Sequence, residues 1–190
     1  MKLLPHKHLN DEVLWLQLKQ GSQTAFAQLF RKYHTSLYEY GLHLVNDREE
    51  LLKDTIQELF TELWAKRKKL ADVHYVKTYL FKSFRRNLLK ELKKQRKFVF
   101  LFDYTNIQPN AFSLSIEDLM IAEEMSKETQ LKVANALENL TASQREVIYL
   151  KFKDNLDYEE IEAVTNLKYQ SIRNSVYRAL KTLREVIRVN

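Results

Sequence analysis

An all-α fold, made of two small helical domains joined by a linker, is what this sequence predicts, and three observations predict it. Glycine and proline number only two each in 190 residues, while Leu, Lys and Glu abound. That balance favours helices with short connections over sheets that need tight turns. Apolar residues recur at helical spacing along most of the chain, and 45% of residues are hydrophobic, enough to build packed cores. One run, Phe98 to Ser115, keeps no period and holds Asn106, Pro109 and Asn110, which marks it as the linker. The domains then fall at 8–97 and 116–188, with the linker over 98–115.

Taking the elements in order, a first short helix covers about Asp11 to Lys19 and stops at Gly21-Ser22. A second carries Phe26, Leu29, Phe30, Tyr33, Leu37 and Leu44. Asn46-Asp-Arg-Glu49 reads as a capping box for a third, from Asp47 to Lys66, with Leu52, Ile56, Leu59 and Leu63 as its apolar stripe. A long helix from Tyr75 to Lys97 follows, with Leu80, Phe84, Leu88 and Leu92 inward. Beyond the linker, Ser115-Ile-Glu-Asp118 starts one helix and Thr141-Ala-Ser-Gln144 caps another, covering Arg145 to Phe152. Asp157-Tyr-Glu-Glu160 caps a short helix that ends at Thr165-Asn166, where Asn tolerates a left-handed turn. The last helix, Tyr169 to Ile187, turns Ile172, Val176, Ala179, Leu183 and Val186 inward. A short helix, a tight turn and a longer helix make a helix-turn-helix.

Charge is unevenly spread around a net +6. From Trp64 to Lys97 thirteen cations face two acids, Asp72 and Glu91, a local excess of +11. From Phe98 to Gln130 six acids face one Lys, an excess of −5. A basic block beside an acidic connector fits a polyanion-binding module joined to a second unit. On the long helix Lys82, Arg86, Lys90, Lys93 and Lys97 step by four, four, three and four, one continuous basic stripe. On the last helix Gln170, Arg173, Asn174, Tyr177 and Lys181, with Tyr169 at its start and Arg178 alongside, lie away from the apolar stripe. Arg reads guanine, Asn and Gln read adenine, and Lys grips phosphate.

Other classes fit less well. There is no phosphate loop, nucleophile elbow, His-Glu-x-x-His run or plausible metal cluster among five scattered His, so the expectation is no enzyme, no metal and no cofactor. Zero cysteines exclude disulfides and thiolate sites. No apolar run approaches the roughly 18 residues of a membrane span, and the N-terminus lacks a signal-peptide stretch, so a cytoplasmic protein without membrane insertion is expected. The basic helix alone would suit a membrane surface, but that leaves the C-terminal half without a role.

Three stretches, in order, carry a family resemblance. Gly21-Ser-Gln-Thr-Ala-Phe-Ala-Gln-Leu-Phe30 with Tyr33, then Asp54-Thr-Ile-Gln57-Glu58-Leu-Phe60 with Leu63-Trp64, resemble the N-terminal helices of extracytoplasmic-function sigma factors of the sigma-70 family. Leu140-Thr-Ala-Ser-Gln-Arg145-Glu146-Val with Tyr158-Glu-Glu160-Ile161, Arg178-Ala-Leu and Leu183-Arg184 resembles their C-terminal helix-turn-helix. The resemblance implies core RNA polymerase, promoter DNA and an anti-sigma factor as partners. It implies docking on polymerase through Asp54, Gln57, Glu58 and Thr61; Trp64 flanks that face, as part of the interface or packed against the first helices. It places Tyr75, Tyr79, Asn87 and the basic stripe at the minus-ten element, with His74 a surface residue and Tyr79 a base platform or a core residue. The polar face of the last helix falls at the minus-thirty-five element.

Departures are visible too. Glu162 stands where the family usually has Ala, Asn166 where it has Gly, and Lys168 where it has a small capping residue, which puts the tilt of the recognition helix in question. The alternative reading is a helix-turn-helix regulator that never binds polymerase; it leaves the face from Asp54 to Trp64 without a role.

Overall fold

The computed structural model describes residues 6–45, 48–98 and 140–188, with side chains defined over 10–45, 48–94 and 140–182. Among the described residues every regular element is helical, so the fold is all-α as the periodicity predicts. The chain divides into two compact units. Most of the expected linker and the expected helix start at Ser115 lie outside the described residues.

The N-terminal unit contains α1 (His6–Lys19), α2 (Gln23–Leu44), α3 (Glu49–Lys66), a 3-10 turn (Arg67–Lys69) and α4 (Val76–Phe98). Helix α1 starts earlier than the expected Asp11. It ends where Gly21 adopts φ +93°, a conformation cheap only without a Cβ. Gly21 N donates to Leu18 O and Ser22 N to Gln17 O, both at 2.9 Å, which satisfies the last carbonyls. Ser22 Oγ then accepts from Ala25 N at 3.2 Å and caps α2.

The core of this unit is the expected set of stripes. Leu52, Ile56, Leu59 and Leu63 of α3 are buried, as are Leu80, Phe84 and Leu88 of α4, while Leu92 is half-buried. Phe60 meets Phe30 edge-on at 4.9 Å, and Tyr40 stacks on Phe81 at 5.2 Å. Gly41 lets α2 approach its neighbours: a Cβ there would lie 2.6 Å from Leu52 Cδ2 and 2.9 Å from Phe84 Cζ.

One local expectation fails. Glu49 is the first residue of α3 and Arg48 stands at the cap position, where its side chain makes no capping bond to the helix amides, so Glu49 is not at the third position that the expected box requires. Asn46 and Asp47 lie outside the described residues. The Glu49 carboxylate is engaged instead by Lys53 at 3.2 Å and by the Tyr38 hydroxyl, and these bonds hold its pKa below the ordinary glutamate value.

The C-terminal unit contains α5 (Ala142–Ile148), a π turn (Tyr149–Lys153), α6 (Tyr158–Thr165) and α7 (Tyr169–Arg188). Both expected capping boxes form, Thr141 with Gln144 and Asp157 with Glu160. The predicted single helix from Arg145 to Phe152 instead begins at Ala142 and widens at Tyr149, where Asp154 N reaches Tyr149 O at 3.2 Å. Asn166 has φ 59°, the left-handed turn expected between α6 and α7. Ile172, Val176 and Ala179 are buried; the side chains of Leu183 and Val186 lie outside the described set.

Candidate functional site

Helix α3 presents Asp54, Gln57, Glu58 and Thr61 to solvent, opposite its buried stripe. The sequence periodicity that buries one side fixes the other, so these four share an exposed polar face. Trp64 combines both sequence readings. It is half-buried, with its ring 5.2 Å from Phe26, yet it borders the polar face. The Arg67 guanidinium lies over the ring at 4.4 Å and its Nη1 donates to Trp64 O at 2.7 Å, which fixes the indole.

On α4 the side chains of Lys82, Arg86, Lys90 and Lys93 are exposed in one row; that of Lys97 lies outside the described residues. Beside the row, Lys94 donates to Glu91 at 2.6 Å, a bond that raises its pKa. A shallow, half-open hollow lies between α3 and α4, and Tyr79, Arg86 and Asn87 line it together with Ser83 and Leu63. Three residues placed by sequence near promoter DNA thus meet in one cleft. Tyr79 is half-buried, edge-on to Trp15 at 5.0 Å, so one side of its ring is core. Tyr75 is exposed just before α4, and His74 is a surface residue whose Nδ1 lies 3.2 Å from Glu12.

Helix α7 exposes Tyr169, Gln170, Arg173, Asn174, Tyr177, Arg178 and Lys181, all seven residues that the sequence places on its polar face. Gln170 Nε2 donates to Asn174 Oδ1 at 3.2 Å, so the two amides hold each other in place. Tyr177 is 67% exposed, a large aromatic with little to pack on in its own unit.

The departures at Glu162 and Lys168 resolve as a pair. Lys168 occupies the cap of α7, its carbonyl accepting from Ile172 N at 3.1 Å, and its side chain has no acceptor to offer the helix. Glu162 of α6 supplies one: its Oε1 accepts from Tyr169 N at 3.2 Å. A carboxylate also complements the positive end of the helix dipole. By sequence each residue alone is a misfit, and only the fold brings the acid of one to the helix start of the other. The signal available was a capless helix start with an acid seven residues upstream.

Among the described residues no group of three His, Asp or Glu side chains could hold a metal, and no helix is long and apolar enough to cross a membrane.

Family models match both units. The model "Sigma-70 region 2" covers residues 29–98, and "Sigma-70, region 4" covers 130–183. The chain is 24% identical over 170 residues to "RNA polymerase sigma factor SigV" of Bacillus subtilis, an alignment spanning 89% of this chain and 95% of that one. It is 23% identical over 167 residues to "ECF RNA polymerase sigma factor SigX" of the same organism, spanning 86% and 84%. In fold it is similar to the sigma factor RpoE of Bartonella quintana, solved with the anti-sigma factor NepR, at TM-score 0.57, 23% identity, and coverage of 87% and 98%.

Proposed function

This chain belongs to the sigma-70 family, in its extracytoplasmic-function group, and from that premise we infer that it binds core RNA polymerase and directs promoter-specific transcription initiation. One observation carries the reading: a single chain joins an exposed polar face on α3 and a cation row on α4 to a helix-turn-helix whose polar face is exposed. A stand-alone DNA-binding regulator would need the last of these but has no use for the first.

Asp54, Gln57, Glu58 and Thr61, flanked by Trp64, form the polymerase-docking face. Mixed polar and aromatic groups with a rigid backbone beneath suit a protein interface. Tyr75, Tyr79, Lys82, Arg86, Asn87, Lys90, Lys93 and Lys97 serve the minus-ten element, cations on phosphates and the cleft on bases. Tyr169, Gln170, Arg173, Asn174, Tyr177, Arg178 and Lys181 serve the minus-thirty-five element. These roles divide the chain into a promoter-melting and docking domain at 8–97, a linker at 98–115 and a helix-turn-helix domain at 116–188. The protein acts in the cytoplasm, where polymerase is, and has no enzymatic activity of its own. An anti-sigma factor is a further partner, of the kind that the Bartonella sigma factor was solved with.

In vitro transcription with core polymerase on a genomic library, followed by start-site mapping, tests the whole reading. Discrete start sites are expected only when the protein is added. Asp54→Ala with Gln57→Ala tests the docking face: affinity for core should fall while circular dichroism stays unchanged. Unchanged affinity in a pull-down titration removes that assignment.

A further inference from the structure

The segment from Ala71 to Tyr75 connects the 3-10 turn to α4 without regular hydrogen bonding, and all of it except half-buried Val73 is exposed. Such a segment has little core of its own to define it. It nevertheless leads directly into Tyr75 and Tyr79, residues of the minus-ten assignment. Helix α1 reaches it with three side chains at one-turn and two-turn spacing, Glu12, Trp15 and Lys19, which therefore share one face. Trp15 Nε1 donates to Ala71 O at 2.9 Å. Lys19 forms an ion pair with Asp72. Glu12 Oε1 lies 3.2 Å from His74 Nδ1. The Trp15 ring meets Tyr79 edge-on at 5.0 Å, which extends the same packing to the first turns of α4.

Helix α1 is itself anchored. Trp15 is 1% exposed, Leu14 and Leu18 are buried, and the buried Asp11 carboxylate accepts from the Tyr33 hydroxyl and pairs with Lys32 of α2. A firmly seated helix thus holds three points along an otherwise exposed connection.

We propose that α1 is a brace that preorganises the 71–75 segment for the promoter strand, with Trp15 and Lys19 as positioning residues that act on DNA without touching it. This inference rests on the minus-ten assignment above and adds a residue set that lies far upstream of it in sequence. A loop fixed before binding meets its ordering cost during folding, so base preference is read against a defined surface. A loosened loop would still meet DNA through the cation row but would adapt to wrong bases.

The experiment uses the full chain with core polymerase and two perturbations. Trp15→Phe keeps a ring against Tyr79 and removes the donor to Ala71 O. Because Trp15 is core, the second perturbation is a charge swap at the more exposed pair: Lys19→Asp, Asp72→Lys, and the double variant. Three readouts are taken: affinity for core, open-complex formation on promoters with single minus-ten substitutions, and hydrogen exchange of the 71–75 amides. Expected are parental core affinity, faster exchange in 71–75, and discrimination between cognate and substituted minus-ten sequences reduced about two- to tenfold, the scale of one missing hydrogen bond. The double charge swap should recover most of that loss. Unchanged exchange in both perturbations overturns the brace. Faster exchange with unchanged discrimination overturns its role in promoter reading. A parent chain that opens no promoter with core polymerase would instead overturn the proposed function, and the exchange data would still report whether α1 holds the segment.

Discussion

Replacing Glu162 by Ala removes the side-chain acceptor that meets the first amide of α7, at 3.2 Å from Tyr169 N. Loss of a capping side chain costs roughly 0.5–2 kcal/mol, and a carboxylate at a helix N-terminus adds about 0.3–1 kcal/mol through the dipole. The bond is exposed, so water re-solvates the freed amide and the low half of each range applies. About 1 kcal/mol is the expected loss, which in a domain of this size lowers the melting temperature by about 4–8 °C. Glu162→Gln keeps an oxygen acceptor and forfeits the charge, so it should lose about half as much and show less salt dependence. Lys168→Ser in the Glu162→Ala background returns a capping hydroxyl and should restore most of the stability. Thermal unfolding of the full chain, with the Tyr169 amide shift followed by NMR, measures this. Glu162→Ala unfolding with the parent, with the Tyr169 amide unmoved, would refute the account of how this recognition helix is held.

Three further outcomes are expected. Arg86, Lys90 and Lys93 changed together to Ala should weaken open complexes on every promoter alike and make the salt slope shallower by roughly two to three, about 0.9 for each duplex phosphate no longer neutralised; an effect that varied strongly with promoter sequence would show base reading instead. Arg173→Ala or Asn174→Ala should each cost on the order of 1–3 kcal/mol of discrimination at one or two minus-thirty-five base pairs, whereas Lys181→Ala should lower affinity for all sequences; promoter-library selection with each variant separates these results. Gly41→Ala should destabilise the protein by about 1–3 kcal/mol despite alanine's better helix propensity, because the new methyl meets Leu52 at 2.6 Å and Phe84 at 2.9 Å; equal or greater stability in urea unfolding would contradict that packing.

The helices were legible because each repeats a simple period, and each period has a buried side that can be checked residue by residue. Leu52, Ile56, Leu59 and Leu63 predict the core, and the exposed Asp54, Gln57 and Thr61 follow as its complement. Caps were legible where the partner residues are three apart and nothing else competes, as at Thr141 and Asp157. The box expected to end at Glu49 is not met because α3 begins at Glu49, whose carboxylate engages Lys53 and, from another helix, Tyr38. Long-range pairings left no local trace: Trp15 and Ala71 are 56 residues apart and Glu12 and His74 are 62 apart. The cleft with Tyr79, Arg86 and Asn87 was legible as residue types, whereas its floor, formed partly by α3, required the packing.

The two tryptophans of this chain, Trp15 and Trp64, both lie in the N-terminal unit, one fully enclosed and the other half-open beneath the Arg67 guanidinium. Tryptophan emission, excited at the red edge where tyrosine does not absorb, is therefore a built-in, one-sided probe. It reports melting of the N-terminal helices and is blind to the C-terminal ones, while far-ultraviolet ellipticity sees both. Coincident curves by the two methods would mean that the units lose structure as one cooperative system, and separated curves would assign the emission transition to the first unit without any added label. Trp64 also borders the polar face of α3, so a protein seated there changes the solvent around its indole and should shift its emission while Trp15 stays constant.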